Sequence, residues 1–306
     1  MKRITGMILI LSMLLVFASC GNKSENKTAE NDLTVKASEI SSETASEAAE
    51  EAVKQNQEEI TESVTEAETS APEEEKLPET KAEILAEYTK IMNQAKKDKP
   101  GFTFYEWQTL PDDSESRQIT EGKAVLGTVL DIANLFMKDE KKAKEEPYVI
   151  GKNSDMYCFP IRDSDYGCLL TDTEAIKTAD FKELPNGNYE ITIVLNSEKT
   201  PEAVTDKHSM VAPSNHGAIF QPLPKKVIDD VLKMDIVAAI TEDIEFSYTY
   251  HDCKVVVEYE PETNHIITVK QISHVTITGS GRVTLIRLNV KKQEYINEMH
   301  VINIEY

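Results

Sequence analysis

The chain has no apolar run long enough to span a bilayer. Its longest, Met7 to Val16, is about ten residues, where a spanning helix needs about twenty. Positive charge is also short. The sequence holds 33 Lys and Arg against 54 Asp and Glu, a formal net charge of -21, and so acidic a chain argues against nucleic-acid partners, whose phosphates call for a basic surface. The six histidines, His208, His216, His251, His265, His274 and His300, form no HxH, HExxH or Cys/His zinc spacing, and neither a metal nor another cofactor is expected. No Gly-x-Ser-x-Gly elbow is present. Between Gly21 and Thr80 there is no aromatic residue, which excludes a packed core there.

What is present begins with a leader. Lys2 and Arg3 precede the apolar run, and Phe17-Ala18-Ser19-Cys20 follows it with small residues. That order is the layout of an export signal. Small residues before a cysteine resemble the lipobox of bacterial lipoproteins, with Phe17 standing where that pattern carries Leu or another aliphatic residue. The resemblance implies a diacylglyceryl group on Cys20, which becomes the mature N-terminus, and a location on the outer face of the cytoplasmic membrane. Two acyl chains at about 0.8 kcal/mol per buried methylene anchor a protein stably.

Residues 21–80 carry 17 acids and 5 bases, and their few aliphatic residues stand isolated. Such a stretch is expected to be a disordered, solvated tether. Residues 81–306 read as one domain. Thr80 caps a helix whose Ile84, Leu85, Tyr88, Ile91, Met92 and Ala95 share one face, ending before Lys99-Pro100-Gly101. Residues 102–110 read as a strand. A second helix is expected from a Thr120 cap to Lys138, apolar around nearly its whole circumference and therefore the central core element. Beyond it, residues 157–161 and 166–170 flank the turn-like Arg162 to Asp165, and Asn186-Gly187 precedes the alternating strand Tyr189 to Leu195. A short helix is expected at 225–234, then strands at 243–250, 253–260, 264–278, 282–291 and 297–306, separated by turns that include Gly279-Ser280-Gly281. The fold class is α+β: a curved antiparallel β-sheet, a half-barrel-like meander, packed on two or three helices.

Three stretches carry a resemblance: Tyr88 to Thr103; Leu170 to Phe181 with Asn186 to Leu195; and Tyr248 to Asn264, where Asn264 replaces the usual Gly. Together they resemble a group of uncharacterised surface lipoproteins of Clostridia-type bacteria. The resemblance implies a curved antiparallel sheet that wraps helices and can hold an apolar ligand. It implies no activity.

The chemistry-bearing candidates follow. Val125, Val129, Ile132 and Phe136 on the second helix, with Tyr105, Trp107 and Tyr259 as aromatic contacts, are candidates for binding an apolar ligand or a cell-wall or surface partner. Ordinary core packing is the alternative for all seven. With Cys20 acylated, Cys158 and Cys168 sit symmetrically about Asp163 as a cross-strand disulfide candidate; Cys168 with Cys253 is the other pairing, and one thiol stays free in either. Strand pairing is expected to bring His265 near His251. Glu258, Glu260 and Glu262 read as a solvated, edge-protecting row. Asp206, His208, Ser209 and His216 supply the residue types of a hydrolase triad in one loop, which sets an envelope hydrolase against the non-enzymatic binding protein that the missing motifs favour.

Overall fold

The computed structural model describes residues 77–223, 229–230, 233, 238–239 and 241–306. The expected leader with Cys20, nearly all of the tether and most of the 225–234 helix lie outside the described residues, as do the side chains of Val129, Ile132 and Phe136.

Helix α1 spans Lys81–Asp98. Thr80 and Glu83 exchange hydrogen bonds as a capping box, and Lys99, at φ 49°, closes the last turn by donating its amide to Ala95. Its stripe of Ile84, Leu85, Tyr88, Ile91, Met92 and Ala95 is wholly buried against the sheet, where each large apolar side chain contributes roughly 1.5–3 kcal/mol.

Nine strands form one antiparallel sheet: β1 Gly101–Thr109, β2 Arg117–Glu121, β3 Tyr148–Ile150, β4 Ile176–Glu183, β5 Tyr189–Leu195, β6 Glu198–Lys199, β7 Thr241–Glu260, β8 His265–Val283 and β9 Ile286–Glu305. Their order is β3-β1-β9-β8-β7-β5-β4, with β2 also on β9 and β6 also on β7. The sheet is open, with β3 and β4 at its two ends, and the α+β expectation holds. Alternation sorts the side chains. Tyr248, Tyr250, Val255, Val257 and Tyr259 of β7 face the core under α1, while Thr249, His251, Lys254, Val256 and Glu258 face outward.

Several expected boundaries move. The five C-terminal strands are three, about twenty residues each. Gly279-Ser280-Gly281 is not a turn but lies within β8, opposite Val290, Asn289 and Leu288. The chain reverses instead at Thr284-Leu285, between the paired Val283 and Ile286. Glycine suits 281 because its φ is 154°, a conformation that other residues rarely adopt, and a methyl there would stand 3.1 Å from the Asp243 carbonyl and the Ile244 Cα of β7. Thr120 does not cap a helix: it belongs to β2, and helix α2, Lys123–Phe136, starts after Gly122 at φ 68°. Nor is α2 the central core element. Leu126 and Leu130 are buried, but Lys123, Ala124, Thr128, Asp131 and Asn134 are exposed, and the covering role falls to α1. A third helix, α3 at Glu140–Glu145, is capped by Asp139 and packs on β1.

The expected hairpin over 157–170 is absent, and α1 explains why. Asn93 of α1 accepts hydrogen bonds from the Gly167 and Cys168 amides and donates to the Cys168 carbonyl. Buried Lys96 donates to the carbonyls of Met156, Phe159 and Ile161 at 3.2, 2.8 and 2.7 Å. These side chains satisfy backbone groups that a strand ladder would otherwise have to pair. No strand pairing therefore sets Cys158 opposite Cys168, and the disulfide expectation is corrected: Cys158, Cys168 and Cys253 are buried with no disulfide among them. Burial pushes the Cys168 thiol up to about 11, although Thr89 donates a hydrogen bond to it. Burial likewise pushes Cys253 up to about 12. All three should stay silent toward a thiol-specific reagent in the native protein and react on denaturation; rapid native labelling of any of them would contradict the packing.

A buried ion pair joins the loop to the sheet. Arg162 binds Glu106 of β1, which also accepts from Asn297 of β9 at 3.1 Å, and the guanidinium lies over the Phe104 ring. Removing one partner of such a pair leaves the other charge desolvated, so Glu106→Ala is expected to lower the unfolding free energy by about 3–5 kcal/mol in denaturant titrations. A loss below about 1 kcal/mol would mean that the pair is solvated.

Candidate functional site

The alternation of β7 changes phase between Tyr250 and Cys253. Both are buried although they lie three residues apart, and a strict two-residue period would put them on opposite faces. The register resolves this with one extra residue: His251 opposes His274, Lys254 opposes Ile272, and Asp252 with Cys253 faces Ser273 alone. This is a β-bulge, and Asp252 takes φ 48° to form it. The bulge turns Cys253 into the core and crowds His251 and Asp252 together on the outer face.

Around it a polar network closes. His251 Nδ1 is 3.1 Å from Asp252 Oδ2, and its Nε2 is 3.1 Å from both Glu294 Oε2 on β9 and Thr276 Oγ1 on β8. Thr276 donates to Glu294 Oε1 at 2.6 Å, and Lys292 reaches the same oxygen at 3.1 Å. Lys177 of β4 donates to Asp252 Oδ1 at 2.8 Å. The His274 ring lies 5.8 Å from that of His251. Beside the network an open groove of about 350 Å³ is lined by Lys177, Thr178, Val194, Asp252, Lys254, Ile272 and His274. The Lys177 hydrogen bond, then that of His251, holds the Asp252 carboxyl down at about 2. Glu294 is partly buried, which raises it, yet Thr276, Lys292 and His251 outweigh this and keep it below its ordinary value. Burial and the neighbouring His251 lower His274.

The arrangement presents fixed charges of both signs and a neutral imidazole around a small groove. The hydroxyl beside the His251 imidazole is that of Thr276, and its proton is given to Glu294 Oε1. Among the described residues no group of three or more His, Cys, Asp and Glu is placed to hold a metal ion.

The residues singled out from sequence fall elsewhere. Tyr259 is core: its hydroxyl donates to Glu87 of α1 at 3.1 Å and its ring meets Tyr189 edge-on. Trp107 and Tyr105 share the outer face of β1. Trp107 is 6% exposed and packs against the His300 ring at 4.7 Å, while Tyr105 is half-buried. Val125 is half-buried on α2. His265 does not approach His251; it stacks on Tyr306 at 3.8 Å. Glu258 is not on an edge strand, since β5 and β8 flank β7, and it accepts hydrogen bonds from Asn186 and Asn188 at the β4–β5 turn.

The 206–216 loop builds two separate histidine–carboxylate pairs. His208 Nδ1 lies 2.6 Å from Asp165, exposed, and Asp206 caps the His208 amide. His216, fully buried, has Nδ1 2.8 Å from Glu198, which also takes its backbone amide. Ser209 donates its hydroxyl to the Val211 carbonyl at 2.7 Å. No hydrogen bond joins Ser209 to a histidine among the described residues. Glu198, Lys177, Thr276 and Glu294 were not singled out from sequence. The phase slip after Tyr250 is the sequence signal for the place where Lys177, Thr276 and Glu294 meet; Glu198 pairs with His216 instead.

Fold and groove together define an open antiparallel-sheet domain with a charged groove on the face opposite α1. Compared with protein-family models, curated proteins and solved structures, the chain matches none.

Burial depresses three imidazoles, His216, His274 and His300, below the ordinary value of 6.5. As pH falls the unfolded chain takes up those protons first, so the stability they contribute is complete above about pH 6.5 and is lost below it. Unfolding free energy should decline from about pH 7 to pH 5, and His216→Gln should flatten part of that slope. An unchanged slope would remove His216 from the account.

Proposed function

We propose that this protein is a membrane-anchored extracytoplasmic lipoprotein, held by a diacylglyceryl group on Cys20 at the outer face of the bacterial cytoplasmic membrane. Its sheet domain is a non-enzymatic module that binds an envelope partner. The observation that carries the location is the leader ending in Ala18-Ser19-Cys20. Residues 21–80, acidic throughout, serve as the spacer that holds the domain off a like-charged surface. The likeness to surface lipoproteins of Clostridia-type bacteria points the same way.

Within this reading the groove at the Asp252 bulge is the binding site. Its lining of Lys177, Lys254, Asp252 and His274 suits a charged, polar cell-wall or surface component better than an apolar ligand, because two of the aromatic candidates, Trp107 and Tyr259, are consumed by packing. In the producing cell, a palmitate analogue should label the wild-type chain and fail to label Cys20→Ala, which should also be released from the membrane. Equal labelling of the two would sink the anchor. Soluble cell-wall fragments should raise the melting temperature of the wild type and have no effect on a Lys177→Glu, Lys254→Glu double variant; identical responses would sink the groove.

A further inference from the structure

A second surface lies at the tip of the longest hairpin and has no part in the groove. Between Arg282 and Lys292 the sequence reads Arg-Val-Thr-Leu-Ile-Arg-Leu-Asn-Val-Lys-Lys, four basic residues and no acid, within a chain of net charge -21. The β8–β9 turn, Thr284-Leu285, lies near its start. Leu285 at the turn is 95% exposed and Ile286 beside it 40%.

Pairing sorts this segment into two faces. Val283 opposes Ile286 and Gly281 opposes Leu288 on one; Arg282 opposes Arg287, and Ser280 opposes Asn289, on the other. Leu288 is half-buried, close to Gly122 ahead of α2, and Ile244 lies over Gly281. The apolar face is thus covered at its base and bare at its end.

Like charges placed directly opposite across a hairpin destabilise it, and Arg282 with Arg287 is such a pair. Arg282 is offset by Glu242 of β7 at 3.1 Å, and Lys292 by Glu294. Arg287 and Lys291 are exposed, and among the described residues neither side chain makes a hydrogen bond or ion pair. Of the other acids nearby, Asp243 of β7 lies across from Gly281, Glu245 opposes Ser280, and Glu121 of β2 opposes Asn289.

An apolar end backed by uncompensated cations is what a negatively charged lipid surface accepts: hydrocarbon enters the acyl boundary and the cations remain at the headgroups. We propose that the β8–β9 tip is a bilayer contact, Leu285 and Ile286 inserting between anionic lipids while Arg287 and Lys291 engage their phosphates. This contact is independent of acylation. It draws the domain onto the membrane against the repulsion of its acidic remainder, and so gives the tethered module a docked state.

The test uses the full chain carrying Cys20→Ala, which removes any acyl anchor, and Leu285→Trp, which adds a fluorophore at the tip; Trp107 is buried and stays constant. With phosphatidylcholine vesicles containing phosphatidylglycerol, the emission should shift to the blue and be quenched by brominated acyl chains. With phosphatidylcholine alone it should not shift, even where the leader holds the chain on the vesicle. Adding Arg287→Glu and Lys291→Glu should weaken the response at least about tenfold, since each basic side chain near an anionic surface is worth roughly fivefold; a cooperative thermal melt confirms that the variant is folded. No shift with either vesicle would overturn the proposal, as would equal shifts with both. A concentration-dependent shift without lipid would also overturn it, by showing that a second copy covers the tip. Palmitate labelling of Cys20 can fail or succeed without touching this result.

Discussion

A change of phase in one strand organises this sheet. Tyr248 and Tyr250 must face the core, and so must Cys253, Val255, Val257 and Tyr259, but the two sets differ in parity. A strand of unbroken period two would expose one of them. One inserted residue at Asp252 lets both stay inside, and it keeps β7, β8 and β9 continuous where a break would have split them into shorter pieces. The same insertion places His251 and Asp252 side by side, one strand from Thr276 and two from Glu294. The groove is thus a by-product of satisfying the core on the opposite face.

Polar side chains from α1 do comparable work. Asn93 and Lys96 reach out of α1 to pair with six backbone groups of the 156–168 segment. That segment can then lie irregularly against the helix without leaving buried carbonyls unpaired. Gly167 belongs to the same contact, because a methyl there would collide with the Met92 backbone. Burial draws the Lys96 ammonium down to about 7, against the upward pull of Asp163, Asp155 and Asp165. Such a lysine makes the helix and loop interdependent, and the Arg162–Glu106 pair extends the dependence to β1.

The two outward-facing features divide the charge of an acidic protein. The groove near Asp252 holds mixed charges in mutual hydrogen bonds, and the β8–β9 tip holds cations with no acid in its own segment. Both lie on β-strands whose inner positions are committed to packing. Outward positions on such strands can carry charge at little cost, which is why recognition chemistry collects there.

Local signals carried much of this fold. The α1 stripe and its Thr80 cap, the β1 run, the Tyr189 to Leu195 alternation and the strand-rich C-terminus were all legible, because 3.6-residue and two-residue periods report burial directly. The apolar girth of α2 misled, since circumference states how apolar a helix is and not how much of the sheet it covers. Gly279 and Gly281 misled because glycine marks close approach as well as turns. The candidate site was less legible. His251 and His274 were visible as residues, but their pairing, and the arrival of Lys177 from β4 and Glu294 from β9, depend on a register that no local window contains. By itself the sequence determined which segments alternate, where α1 begins and ends, and how charge divides along the chain, all consequences of neighbouring residues. Only the tertiary structure decided which helix covers the core, that no disulfide joins the buried cysteines, and that a bulge assembles the groove. Each of these depends on strands and loops distant in sequence competing for the same buried surface.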